Sequence, residues 1–166
     1  WGTTMIDNRL ARADATKLDE LHEIMMAQED SERLCDIGMK KINIGHGAAA
    51  GICDAVKALT DGKKVLMVTG PTEILDTAGA NVKEKILALL KAEYEVEWLV
   101  ISEPDSIVHA TPENAEKIQA HFEGVDCVVG IGGGKIHDTS KVIAYYTKSP
   151  VVIVPTIAST DAPCSA

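Results

Sequence analysis

The sequence predicts an α/β fold, in which helices cover both faces of a parallel sheet. Short apolar runs alternate regularly with stretches of helical periodicity from about residue 41 to residue 154. Such alternation is typical of βαβ units with right-handed crossovers. The run at residues 64–68 is continuously apolar after Lys64 and lies between Gly62 and Gly70, as expected for a strand that is buried on both faces. We therefore predict a Rossmann-like, doubly wound parallel sheet.

The chain is predicted to begin with a helix at about residues 14–34, where apolar residues form an incomplete helical stripe. We interpret residues 1–38 as an N-terminal helical extension and residues 39–166 as one α/β domain. From residue 41 a short strand with Ile42 and Ile44 leads into Gly45-His46-Gly47. A helix through Ile52, Val56 and Leu59 is expected to follow.

The remaining elements alternate after the strand at 64–68. We predict helices at about residues 80–90, 112–122 and 136–146, and strands at residues 96–101, 125–130 and 151–154. Pro112 suits the first turn of its helix, and Thr111 before it suits the N-cap.

Composition excludes several classes of protein. The formal net charge of -9 disfavours a nucleic-acid binder, which needs Lys and Arg to neutralise phosphates. The four cysteines show neither C-x-x-C spacing nor the pattern of a secreted disulfide scaffold. No apolar run approaches the roughly 20 residues of a membrane helix, and there is no signal peptide. We expect a cytoplasmic protein that binds neither nucleic acid nor membrane. We also expect it to be a fragment, because it begins at Trp1 rather than Met and its last residues, 161–166, read as the opening of another element.

A glycine cluster gives the strongest sign of a ligand. Gly132, Gly133 and Gly134 follow a predicted buried strand and precede a predicted helix. Without Cβ atoms they can adopt positive φ and lie against a pyrophosphate, to which the helix offers free N–H groups. The spacing is not G-x-G-x-x-G, so a tight turn without a ligand is the alternative. Lys135 and Asp138 either orient a cofactor or are surface and capping residues.

A polar loop follows the next strand, at residues 155–166. Since one crossover helix should join the two strands, both loops are expected at the same carboxyl edge of the sheet, where ligands bind. Thr156, Ser159 and Thr160 could hydrogen-bond a cofactor. Asp161 could bind a substrate hydroxyl, or it could be an N-cap before Pro163.

The five histidines do not have metal-binding spacing, so a metal site complete within this chain is not expected. His46 and His137 are the two that lie where a ligand could be.

Residues 132–141 and 155–166 together resemble the glycerol dehydrogenase family, of the iron- or zinc-dependent alcohol dehydrogenase superfamily. The resemblance covers mainly residues 125–166, with a weaker match of element order from about residue 41. It implies an N-terminal α/β domain that binds NAD, with NADP possible, and a C-terminal helical domain that is missing here. The zinc or iron ligands, one Asp and two His, would lie downstream of Ala166.

The resemblance also implies roles for individual residues and for the whole protein. The family oxidises glycerol to dihydroxyacetone, and we expect a homo-oligomer at full length and no turnover by this chain alone. Asp161 and Ser165 would face the substrate. The implied cofactor-binding residues are Gly132, Gly133, Gly134, Lys135, Asp138, Thr156, Ile157, Ala158 and Ser159.

One departure concerns the choice of cofactor. Residues 68–72 hold no acid, whereas relatives that prefer NAD tend to place one there for the ribose hydroxyls. This loop resembles the glycerol-1-phosphate dehydrogenases, some of which accept NADP, although the loop with Asp161 does not. A reductase of that type and a non-catalytic nucleotide-binding module are therefore the alternatives.

Overall fold

The structure is a computed structural model that describes residues 13–14, 16–27, 39–102, 120–158 and 161–163. It divides into two compact units, one within residues 1–48 and one within residues 49–165. No helix among these residues has the length and apolar character needed to span a bilayer.

The first unit contains helix α1, Leu18–Met26, with Asp19 and Glu20 in its first turn and Ile24 buried. Acidic side chains there are favoured by the partial positive charge of the helix N-terminus. The predicted helix is thus confirmed from Leu18 to Met26, whereas residues 14, 16 and 17 are not helical and residues 28–34 lie outside the described part. The strand predicted at residues 41–44 was wrong: no described strand pairs with these residues, and Ile44 is 72% exposed.

The second unit is built on a four-stranded parallel sheet. Its strands are β1 (Lys64–Thr69), β2 (Glu95–Val100), β3 (Cys127–Gly132) and β4 (Val151–Pro155). They lie in the order β2-β1-β3-β4, and all neighbouring pairs are parallel. The helices are α2 (Ile52–Lys57), preceded by a 3₁₀ turn at Ala48–Gly51, then α3 (Val82–Lys91) and α4 (Gly134–Thr147).

Both faces of this sheet are covered. Alternate residues of a strand point to opposite faces, and here they enter two separate apolar clusters. Val65 and Met67 of β1 pack with residues of α2 and α3. Leu66 and Val68 pack with Ile136 and Ile143 of α4 and neighbours. The doubly wound parallel sheet predicted from the apolar runs is confirmed.

Element boundaries differ from prediction where glycines occur. The helix predicted at 136–146 begins two residues earlier, at Gly134. The strand predicted at 125–130, which precedes it, ends two residues later, at Gly132. Glycine is a poor helix or strand former, so the sequence pattern stops short of both ends. Of the helix predicted at 112–122, only Ala120 and His121 are described as helical; Thr111 and Pro112 lie outside the described residues.

Candidate nucleotide-binding site

The strand order creates a crevice at the carboxyl edge of the sheet. From β1 the chain moves to β2 on one side, and from β3 it moves to β4 on the other, so the winding direction reverses between β1 and β3. Ligands of open α/β sheets bind at such a reversal. The loops after β3 and β4 are neighbours, as predicted, because Gly132 is paired with Pro155.

The glycines of this region are required because other atoms lie very close to them. A Cβ on Gly132 would lie 2.8 Å from Cγ1 of Ile136, and one on Gly130 would lie 2.3 Å from Oγ of Ser140. Both distances are shorter than any real Cβ contact, so only glycine lets α4 pack this closely on β3. Sequence reasoning missed Gly130, although its position two residues before Gly132, on the same face of the strand, was a visible signal.

The conformational reason predicted for the cluster was wrong. Gly132 is the last residue of β3, Gly133 has an ordinary extended backbone with φ of −100° and ψ of −169°, and Gly134 is the first residue of α4. The glycines at positive φ in the described residues lie elsewhere. Close approach, rather than a left-handed turn, therefore explains Gly132.

The N-terminus of α4 has no side-chain cap. Gly133 is the N-cap residue, and it has no side chain that could accept a hydrogen bond from the N–H groups of the first turn. Its carbonyl oxygen accepts hydrogen bonds from the backbone N–H groups of Ile136 and His137, at 3.0 and 3.1 Å. The first N–H groups of a helix have no intrahelical acceptor, and with the helix dipole they attract an anion.

The two polar residues predicted beside the glycines lie on the outer side of α4. Lys135 is exposed, and its carbonyl oxygen accepts a hydrogen bond from Oγ1 of Thr139 at 2.8 Å. Asp138 is exposed and forms an ion pair with Lys141, at 3.2 Å. The structure thus gives Asp138 a partner on its own helix, and Lys135 stands in the first turn at the mouth of the crevice.

The loop after β4 is tied to the glycine cluster. The backbone N–H of Thr156 donates to the carbonyl oxygen of Gly132 at 3.0 Å. Ile157 is 55% exposed, and its Cδ1 would lie 3.2 Å from a Cβ on Gly133. Ala158 and Asp161 are exposed as well. Ser159, Thr160 and Ser165 lie outside the described residues.

His137 lies directly beneath this junction and is fully buried. Neither ring nitrogen has a hydrogen-bond partner of good geometry. Burial lowers the pKa of His137, and the nearby carbonyl groups of Val154 and Gly132 only partly oppose this. Its ring is consequently neutral at pH 7, and it is part of the packing under the loop.

A second connection borders the crevice, at residues 70–81 between β1 and α3. Asp76 accepts hydrogen bonds from the backbone N–H groups of Ala78 and Ala80, both at 2.9 Å. Asn81 caps α3 by accepting from the N–H of Lys83 at 3.0 Å. Nζ of Lys83 donates to the carbonyl oxygen of Gly70 at 2.5 Å.

Sequence reasoning gave no role to Asp76, Asn81 or Lys83, although it considered residues 68–72 for the choice of cofactor. One available signal was the spacing of Lys83, Ile86 and Leu90, which puts the lysine on the apolar face of α3.

The described residues contain no group of three or more His, Cys, Asp or Glu side chains that could hold a metal ion. Of the two histidines singled out in the sequence, His137 is buried and His46 lies in the other compact unit.

Comparison with known proteins agrees with this geometry. The family model described as iron-containing alcohol dehydrogenase matches residues 39–166. Glycerol dehydrogenase from Thermotoga maritima is 75% identical over 44 residues, which are 26% of this chain and 12% of that protein. Glycerol-1-phosphate dehydrogenase (NAD(P)+) from Methanospirillum hungatei is 30% identical over 122 residues, 74% of this chain and 31% of that protein.

A crystal structure of a probable glycerol dehydrogenase from Sinorhizobium meliloti superposes with a TM-score of 0.51 at 28% identity, covering 72% of this chain and 29% of that one. The chain thus spans less than a third of the length of these relatives.

Proposed function

Because the chain belongs to the iron-containing alcohol dehydrogenase family, we propose that it is the nucleotide-binding part of a nicotinamide-dependent polyol dehydrogenase. Residues 39–166 would be the dinucleotide-binding domain, and residues 1–38 an extension of it. The full-length protein would oxidise glycerol or a related polyol to the ketone, with NAD or NADP as the hydride acceptor, and would be a homo-oligomer.

One observation carries the cofactor assignment: the uncapped N-terminus of α4, with glycines packed closely against it, at the point where the strand order reverses. A pyrophosphate needs backbone N–H donors and a backbone that it can approach closely, and an uncapped helix N-terminus after glycines supports its placement here. Gly132, Gly133, Gly134 and Lys135 would contact the pyrophosphate, with Asp138 nearby. Thr156, Ile157, Ala158 and Ser159 would border the rest of the cofactor.

The substrate assignment is supported by similarity. The relative from Thermotoga maritima that is 75% identical over 44 residues is named glycerol dehydrogenase. Asp161 and Ser165 would then lie toward the polyol, whose hydroxyl groups a carboxylate and a hydroxyl can bind. Sites, rather than folds, determine chemistry, so this part of the proposal needs its own test with the full-length protein.

Zinc or iron in this family would act as a Lewis acid on the substrate hydroxyl. The described residues contain no group of ligands for such an ion, so no step of the reaction is assigned to a metal within this chain. Its ligands would come from outside residues 1–166.

Glycerol-1-phosphate reduction is the second candidate. It is favoured by the relative from Methanospirillum hungatei, which matches over 122 residues at 30% identity. A nucleotide-binding module without catalysis is the third. Competition between glycerol and glycerol 1-phosphate in the full-length protein would distinguish the two enzymes, and turnover of neither would favour the module.

The test of cofactor binding is titration of the chain with NADH and NADPH, followed by cofactor fluorescence. Gly133→Val should abolish binding, because its side chain would occupy the space of the pyrophosphate. The fold should survive, since the backbone of Gly133 is extended and the flexible end of Ile157 can move away. Gly51→Ala is the matched control, because a Cβ at Gly51 meets nothing within 4 Å.

Saturable binding to the wild type and to Gly51→Ala, with loss in a folded Gly133→Val variant, is the expected result. Equal affinity in all three chains would contradict the placement of the pyrophosphate at this loop.

A further inference from the structure

A buried lysine lies at the carboxyl end of β1. Lys83 is only 4% exposed, whereas lysine is almost never fully buried without a paired charge. It also stands in the first turn of α3, where the helix dipole disfavours a cation. Both its burial and its position therefore destabilise the charged form of this side chain.

The described surroundings compensate for this cost only in part. The ammonium donates one hydrogen bond, to the carbonyl oxygen of Gly70 at 2.5 Å, although an ammonium has three donors. Among the described residues, no carboxylate lies within ion-pair distance of it. Burial lowers the pKa of Lys83, and the charge of Glu73 partly counteracts the shift. A dianionic ligand would satisfy the remaining donors and the charge together.

The lysine and the glycine cluster border the same crevice. Thr69 of β1 is paired with Ile131 of β3, so Gly70 is level with Gly132 on the adjacent strand. Neighbouring strands are about 4.8 Å apart. A Cβ on Gly70 would lie 3.7 Å from Cδ1 of Ile136, in the first turn of α4. The carboxyl end of β1, which Lys83 contacts through Gly70, is therefore adjacent to the carboxyl end of β3, from which α4 begins.

We propose that Lys83 binds a phosphate monoester at this end of the crevice, namely the 2′-phosphate of NADP(H). The inference rests on the proposed function, because it takes the glycine cluster as the site of the pyrophosphate. Ribose joins these two phosphate groups in NADP, and Lys83 supplies the charge for the second one. Glu73 is exposed beside the lysine, and its carboxylate favours the ribose hydroxyls of NAD instead. Together the two charges let both cofactors bind.

The variant that tests this proposal is Lys83→Met, which keeps the apolar stem and removes the charge. We expect the Kd for NADPH to rise about tenfold, as for loss of one charged hydrogen bond, and the Kd for NADH to change less than about twofold. Lys91→Met, an exposed lysine in the last turn of the same helix, is the matched control. Glu73→Gln should tighten NADPH binding and weaken NADH binding.

A measurement on the wild type alone makes the proposal independent of how the variants fold. 2′-AMP should displace NADPH more strongly than 5′-AMP does. If it is no stronger, the proposal is overturned. It is also overturned if Lys83→Met weakens both dinucleotides equally, or if glycerol 1-phosphate rather than 2′-AMP loses affinity in that variant. Failure of the wild type to bind either dinucleotide would instead overturn the proposed function.

Discussion

The connection from β1 to α3 supplies its own side-chain hydrogen bonds, whereas the connection from β3 to α4 has no side chain to supply any. In the first, Asp76 bonds to two backbone N–H groups and Asn81 caps the helix. In the second, Gly133 leaves the helix uncapped. The comparison indicates that Asp76 and Asn81 of the first connection stabilise the fold, whereas no side chain caps the helix that follows the second connection, as the proposed cofactor site requires.

The largest expected effect comes from removing the close packing on which the second connection depends. In Gly130→Ala, the new Cβ would lie 2.7 Å from Cβ of Ser140, a fully buried residue that cannot move away. Overpacking of this kind costs about 1–3 kcal/mol. Urea denaturation should show this loss, and Gly51→Ala, which has open space, should show none of it. A normal stability for Gly130→Ala would mean that α4 does not pack on β3 this closely.

An intermediate effect is expected from removing the cap of the first connection. Asn81→Ala should reduce the free energy of unfolding by about 1 kcal/mol, because the N–H of Lys83 loses its acceptor. Cofactor affinity through the glycine cluster should be unchanged. The opposite outcome, full stability with weakened binding, would contradict the division of roles between the two connections.

The smallest expected effects are changes in how the free energy of unfolding depends on pH. Hydrogen bonds, above all to Lys85, hold the pKa of Asp76 at about 2, below its unfolded value near 3.9. The stability it contributes is present above that unfolded value and is lost as the pH falls toward 2. Asp76→Asn should remove this acid-sensitive component from unfolding curves measured below pH 5.

His137 should affect the free energy of unfolding at a higher pH than Asp76 does. Because burial lowers its pKa, the unfolded chain takes up a proton first when the pH falls below about 6.5, and stability decreases from there toward the folded pKa. His137→Leu should flatten the unfolding free energy just below pH 6.5, which acid titration with thermal denaturation can measure. An unchanged slope would show that the ring is not buried in the neutral form.

The sequence was sufficient to predict the fold because most of its strands contain short continuous apolar runs, as at residues 65–68, and its helices carry a periodic stripe. The position of the glycine cluster between a strand and a helix could be predicted as well, since these three features follow one another along the chain. The order of the strands could not be predicted in full. The pairing of β1 with β3 joins residues that are far apart in sequence, and no local pattern encodes it.

The burial of Lys83 was also difficult to predict. Its spacing from Ile86 and Leu90 places Lys83 on the apolar face of α3, but lysine is usually a surface residue, and its contact with Gly70 is visible only in the structure. The packing role of Gly130 depends in the same way on Ser140, which is ten residues further along the chain and is brought to it by the crossover.

The position of Trp98 gives this chain an optical reporter of its own. Its indole Nε1–H donates to Oγ1 of Thr69 at 2.9 Å, at the end of β1 and next to Gly70. The chain contains one other tryptophan, Trp1. Since reduced nicotinamide absorbs light at the wavelengths that indole emits, a bound NADH would quench Trp98 by energy transfer and emit in its place. Trp98→Phe would remove that sensitised emission, so occupancy of the crevice can be followed without any added label.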